Sequence, residues 1–268
     1  MSIQKTEMRN PLSRNMDKMD TEEMARLVIC ANYDAVKAAE NAASDIAKAI
    51  DAVVCAFKNG HRLFYVGAGT SGRLGVCDAA ECPPTFGVPY DMVNGIIAGG
   101  QDRMFRAGEN AEDKYEDGKA LIDDYGIKAG DVVVGISAAG NAAFVVGAIE
   151  KAKECGCVTV GLCCNADTAV LKAADIAILT DTGAEVLTGS TRLKAGTAQK
   201  IVLNAITTCA MAKTGMVYEN LMINLSPSNE KLKKRVVNIV REILSCDEDE
   251  AISRLDKNGW NIRNAVEA

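Results

Sequence analysis

The stretch Gly67-Ala68-Gly69-Thr70-Ser71-Gly72-Arg73 is well equipped to hold an anion. Its glycines let backbone approach a ligand closely, and Thr70 and Ser71 add hydroxyl donors. Set between a strand and a helix, it would offer free N–H groups and the positive end of a helix, which together make a phosphate cradle. It has no Gly-Lys-Ser/Thr ending, so it is not a nucleotide P-loop, and it lacks the full dinucleotide-binding spacing. The plainer alternative is a tight strand-to-helix turn. Glu81 lies among Ala79, Ala80, Cys82 and Pro83, small or apolar neighbours of the kind that favour a protonated carboxyl. Its alternative is a surface acid near a helix end. Glu109, Glu112, Asp113, Glu116 and Asp117 read as the solvated face of a helix. Thr188-Gly189-Ser190-Thr191 precedes a helical stretch and could hold ligand hydroxyls or close a site, or simply cap the helix with Lys194 in solvent. Arg73 could pair with a substrate carboxylate or with Asp78.

Other chemistries are poorly supplied. Ten cysteines are present, but Cys155-Gly156-Cys157 and Cys163-Cys164 lack zinc-site spacing, and there is one histidine, His61. No metal is expected, and the thiols read as reduced, mostly buried small hydrophobes. A net charge of −6 gives no electrostatic footprint for nucleic acid. Usage of 48% hydrophobic and 25% charged residues excludes a disordered chain. No apolar run is long enough for a membrane span, and Met1 to Arg14 has no apolar signal core. A cytoplasmic location is expected.

The elements that must position these residues follow from hydrophobic patterning. Residues 1–19 are polar and read as an irregular arm. Asp20 followed by Glu23 marks a helix start, and helical periodicity continues to Lys58, as two helices or one broken near Asn32. Five β-rich runs follow: Arg62 to Val66, Met92 to Ile97, Asp131 to Ile136, Val158 to Leu162, and Ile176 to Leu179. Near-continuous apolar strands alternating with helices predict a parallel sheet covered on both faces, hence an α/β fold. Ligands of such sheets bind beyond the carboxyl ends of the strands, where the glycine loop sits. Helices are expected at Ala142 to Glu154, Gly196 to Lys213 and Lys231 to Leu244, then two short ones around Asn258-Gly259. The expected division is 1–58 (arm and N-terminal helices), 59–228 (the α/β ligand-binding domain) and 229–268 (C-terminal helical segment).

The run Gly67 to Gly87, GAGTSGRLGVCDAAECPPTFG, and the run Glu185 to Lys200, EVLTGSTRLKAGTAQK, closely resemble the signatures of bacterial N-acetylmuramic acid 6-phosphate etherases. Asn10-Pro11, Ile97 to Gly100, Ala111-Glu112-Asp113 and Asn229 to Leu232 match more weakly, in the same order. Relatives of that family include the glucokinase regulatory protein. The resemblance implies a sugar-isomerase (SIS) fold, a three-layer α/β/α sandwich around a five-stranded parallel sheet. It further implies a homodimer in peptidoglycan-sugar recycling, a phosphorylated amino sugar as ligand, and no cofactor. The reaction it implies is loss of D-lactate from C3 of the sugar, followed by hydration. Glu81 and Glu112 fall on the family's two catalytic positions, Glu81 as proton donor to the lactyl oxygen and Glu112 as base at C2. Gly69, Thr70, Ser71, Ser137, Asn141, Glu185 and Ser190 are the implied ligand-binding set.

This chain departs from the pattern in its second ligand loop. Ala139, Asn141, Ala142 and Ala143 stand where the family has serine, arginine, threonine and proline. Charge-assisted hydrogen bonds of about 1.5–3 kcal/mol each are thereby lost, with Ser137 and Asn141 left to compensate. The chain also stops short of typical members, so an incomplete terminal bundle is expected. Two other readings share the fold: a non-catalytic sugar-phosphate sensor, favoured by the loop losses, and an aldose–ketose isomerase with Glu185 as base.

Overall fold

The computed structural model describes residues 4–108, 110–225, 227 and 229–267. Three short 3-10 turns in the arm lead to α1 (Thr21–Ala31), α2 (Tyr33–Asn41) and α3 (Ala43–Lys58). Asp20 accepts from the Glu23 N–H and Glu23 reaches back to the Asp20 N–H, the expected capping box. The periodic stretch breaks twice, at Asn32 and at Ala42, so it is three helices rather than two.

β1 (Leu63–Gly67), β2 (Val93–Ile97), β3 (Val132–Ile136), β4 (Val158–Cys163) and β5 (Ile176–Leu179) occur where expected. They alternate with α4 (Gly69–Phe86), α5 (Tyr115–Asp124), α6 (Ala143–Glu154) and α7 (Ala169–Ala173). All pairings are parallel, in the order β2-β1-β3-β4-β5. Strand alternation divides the core. Leu63, Tyr65, Val134, Ile136 and Leu162 face α3, α4 and α8 (Lys194–Lys213). Phe64, Val66, Val133 and Cys163 face α5, α6 and α7. The result is the three-layer sandwich.

A separate apolar cluster joins α9 (Glu230–Leu244), α10 (Glu248–Lys257) and α11 (Ile262–Glu267) through Val236, Val240, Ala251, Leu255 and Ile262. The two short C-terminal helices flank Asn258 and Gly259 as predicted. No helix among the described residues is long and apolar enough to cross a membrane.

Two expectations are corrected here. Glu112 and Asp113 are not on a helix face: α5 begins only at Tyr115, so of the acidic run Glu116 and Asp117 are helical, Glu112 and Asp113 lie in the loop before them, and Glu109 lies outside the described residues. Cys82, Cys157, Cys163 and Cys164 are buried, but Cys30, Cys55, Cys77 and Cys209 are exposed, so burial does not describe most of the thiols. Burial pushes the Cys82, Cys157 and Cys163 thiols up to about 12, which leaves them un-ionised and inert.

Asp78 projects from α4 into the α4–α8 seam. It accepts from Asn204 at 2.6 Å and Thr207 at 3.3 Å, while its second oxygen has no partner among the described residues. Burial raises its pKa above the ordinary 3.8, against the opposing hydrogen bonds. A raised folded-state pKa contributes stability that is present at low pH and lost as pH climbs through that value. Asp78→Asn removes the ionisation and keeps the acceptor oxygen. Thermal unfolding followed against pH should show the variant outlasting its parent at neutral pH, with the gap closing below the ordinary aspartate range. A gap independent of pH would contradict this.

Candidate active site

The strand order reverses between β1 and β3: the chain leaves β1 for β2 on one side and returns to β3 on the other. A crevice opens beyond the carboxyl ends of these neighbours, the usual ligand position in such a sheet. The loop after β1 depends on glycine there. A Cβ on Gly67 would lie 2.7 Å from the Gly72 nitrogen, and one on Gly72 would lie 2.6 Å from the Gly67 carbonyl oxygen, so strand end and helix start touch through bare backbone. Gly69 has φ +53°, the left-handed region that suits glycine.

A cavity of about 280 Å³ fills the crevice, lined among others by Gly69, Thr70, Ser71, Glu112, Ser137 and Ala139. Two helices start at it. The N-cap positions are Ala68 for α4 and Ala142 for α6, and neither supplies a side-chain cap. The start of α4 can therefore offer N–H groups to an anion, whereas at α6 the Phe144 and Val145 N–H groups already donate to the Glu112 and Ala142 carbonyls, which leaves the Ala143 N–H. The Ser71 hydroxyl is bonded to Gln199 Oε1 at 3.0 Å, and the Gly140 N–H donates to Ser137 Oγ at 3.0 Å, which fixes the second loop.

Glu112 stands on a wall shared by two cavities. It lines the small one, and with Gly69, Arg73 and Arg103 it lines an adjoining one of about 430 Å³. Its carbonyl accepts from the Phe144 N–H at 2.9 Å, which ties the Glu112 loop to the first turn of α6.

Several expected site residues stand elsewhere. Glu81 is exposed, twelve residues past Gly69 on α4, which places it about 18 Å down the helix. Within one chain it does not meet Glu112, and its small neighbours do not wall it from water. Asn141 is not on the cavity wall: its Oδ1 accepts from the Ala169 N–H at 3.2 Å. Ser190 also lies off the wall, between Gly189 and Thr191, which are on it. Arg73 pairs with neither Asp78 nor an open position: its Nε and Nη2 donate to the carbonyls of Met104 and Arg103.

Glu185 is fully buried, and burial raises its pKa against the N–H bonds that lower it. Its two oxygens accept from the Ala195 N–H at 2.9 Å and the Lys194 N–H at 3.0 Å. It is the cap of α8 rather than a ligand contact. Lys194, read as potentially solvated, is 2% exposed and pairs with Asp34 of α2 at 2.9 Å.

The arm supplies a residue that sequence reasoning missed. Gln4 donates to the Ala139 carbonyl at 2.9 Å, the Gly189 N–H donates to the Thr6 carbonyl at 3.2 Å, and Asn165 donates to Thr6 Oγ1 at 3.0 Å. This strap carries Glu7 to the small cavity. The available signal was its place just before Asn10-Pro11, inside a polar segment that nothing else explained.

Comparison with known proteins gives concordant results. The family described as glucokinase regulatory protein N-terminal SIS domain matches residues 45–153, and the SIS domain family matches residues 108–209. An N-acetylmuramic acid 6-phosphate etherase of Pasteurella multocida is 46% identical over 261 residues, covering 97% of this chain and 87% of its own. One from Symbiobacterium thermophilum is 46% identical over 263 residues, covering 98% of this chain and 87% of its own. Among solved structures, a phosphoheptose isomerase from Neisseria gonorrhoeae has a TM-score of 0.54 at 19% identity, covering 70% of this chain and 98% of its own, a likeness of fold.

The buried cap yields a stability prediction. Glu185→Ala orphans two N–H groups at the start of α8 and removes the carboxylate beside Lys194. Urea unfolding should show a loss of about 2–4 kcal/mol. A fully stable variant with only a raised KM would return Glu185 to the ligand-binding set.

Proposed function

Because the chain belongs to the N-acetylmuramic acid 6-phosphate etherase family, we propose that it cleaves the D-lactyl ether of that sugar phosphate, as a carbon–oxygen lyase, with Glu112 and Glu81 as its acid–base pair. The observation that carries the assignment of Glu112 is its place on the wall between an anion-holding crevice and a second cavity.

The phosphate takes the helix starts of α4 and α6, with Gly69, Thr70 and Ser71 around it and Ser137 behind the second loop. Ring opening gives a C1 aldehyde that acidifies the C2 proton. Glu112 removes this proton, and the electron pair forms the C2–C3 double bond as the C3–oxygen bond breaks. The departing oxygen takes a proton from Glu81 and leaves as D-lactate. Water then adds, hydroxyl to C3 and proton to C2, giving N-acetylglucosamine 6-phosphate. Such a pair works when environment assigns one carboxyl as acid and the other as base.

Glu81 reaches this site from a second copy. It is exposed and about 18 Å along α4 from the crevice of its own chain. α1 buries none of its residues, and Ile29, Tyr33 and Val36 present 68%, 73% and 53% of their surface to solvent, an apolar face that suits an isologous homodimer. The catalytic unit is residues 59–228, with 1–58 and 229–268 serving placement and association. The protein works in the cytoplasm, in recycling of peptidoglycan sugars.

The test starts from D-lactate release on incubation with N-acetylmuramic acid 6-phosphate. Glu81→Gln and Glu112→Gln should each lower the rate by about 10²-fold or more. Mixing and re-equilibrating the two inactive variants should restore about one quarter of the parent rate, since half the dimers are hybrids with one complete site. No recovery, with hybrids demonstrated by mass, would place both acids on one chain and sink the shared site.

A further inference from the structure

The larger cavity beyond Glu112 differs in charge from the crevice. The crevice carries two carboxylates on its wall, Glu7 and Glu112, and no cation among its described lining residues. The larger cavity carries Arg73 and Arg103 beside Glu112 and Asp113. The two arginines are not equivalent. The Arg73 guanidinium is already engaged by the Met104 and Arg103 carbonyls. Arg103 Nε is buried and has no hydrogen-bond partner among the described residues.

Arg103 is nevertheless held in place. A Cβ on Gly108 would lie 2.3 Å from its Cζ and Nη1, and one on Gly99 would lie 3.0 Å from its Cγ. The side chain is therefore laid between two stretches of bare backbone rather than waving in solvent. A buried donor without a partner costs about 1–3 kcal/mol, and a planar guanidinium fork matches a carboxylate with two parallel bonds. Glu112 and Asp113 on the same wall would repel an entering anion, and Arg103 is the group placed to offset them.

On the etherase reading, the substrate carries two anionic groups: the phosphate, and the carboxylate of the lactyl group on C3. With phosphate in the crevice and C2 at Glu112, the C3 substituent extends past Glu112 into the larger cavity. We infer that this cavity is the lactyl subsite and that Arg103 binds the lactyl carboxylate. The inference rests on that reading of the reaction. Arg103 thus sets specificity for a carboxylate-bearing ether at C3 and holds the leaving group while its bond to carbon breaks.

Binding separates this role from a structural one. Titration calorimetry in a Glu112→Gln background, where turnover stops, compares N-acetylmuramic acid 6-phosphate with N-acetylglucosamine 6-phosphate, which lacks the lactyl group. Adding Arg103→Met should weaken the first by about 10- to 100-fold, the loss of a charge-assisted carboxylate contact, and leave the second within about 2-fold. Arg103→Lys should recover part of the loss, because it keeps the charge without the fork. Equal weakening of both sugars, no weakening of either, or no measurable binding of either would overturn the inference. D-lactate release by the unaltered protein is measured alongside. Release without the Arg103-dependent difference removes the lactyl subsite alone. The difference without release removes the lyase reading and leaves the carboxylate subsite standing.

Discussion

The site depends on the reversal of strand order between β1 and β3. There the strand-to-helix turns of neighbouring β1 and β3 lead to opposite faces of the sheet, so that the starts of α4 and α6 address one crevice. Each helix begins at an alanine N-cap without a side-chain acceptor. The N–H groups that a side-chain cap would otherwise take stay open at the start of α4, while at α6 the Phe144 N–H is used to hold the Glu112 loop. No cation stands at Asn141, so a ligand entering the crevice meets backbone, hydroxyl and carboxylate groups there.

Around the crevice, charge that would be unfavourable if unpaired has been absorbed. Glu185 would be a costly buried carboxylate were it not bonded to two N–H groups at the head of α8. Lys194 beside it is balanced from α2 by Asp34. The N-terminal arm, though irregular, is tied across the β3 and β4 ends by Gln4, Thr6 and Asn165. Consequently a segment far away in sequence contributes the Glu7 wall. The charged side chains lining the crevice are carboxylates alone, whereas the larger cavity carries both signs, and Glu112 divides the two. That division suits a ligand with separate anionic groups around a sugar ring.

Much of the scaffold was legible before any coordinates. The five strands fall within a residue or two of their apolar runs, most sharply β1 and β3, which are buried along their whole length at the centre of the sheet. The capping box at Asp20 and the break at Asn258-Gly259 are local, set by residues that satisfy or end a helix within one turn. The errors have local causes too. The break at Ala42 carries no glycine or proline signal. The run around Glu112 looked helical because its acids recur at helical spacing, yet Glu112 and Asp113 lie in a loop whose Glu112 carbonyl is held by the Phe144 N–H, and only Glu116 and Asp117 are helical. The exposure of four cysteines depends on which helix faces neighbours cover, which residue type does not state.

The sequence by itself determined the layered α/β framework, the glycine turn between β1 and α4, and the family of etherases to which the chain is related, because these rest on short-range periodicity and contiguous motifs. Tertiary structure alone decided what each charged side chain does. It made Glu185 a buried cap, set Arg73 against carbonyls, brought Glu7 in from the arm, left Glu81 on an open helix face, and laid Arg103 along a cavity wall. The physical reason is that a charge takes its role from the partners and the water around it, and those are set by how the chain folds rather than by the residues next to it in sequence.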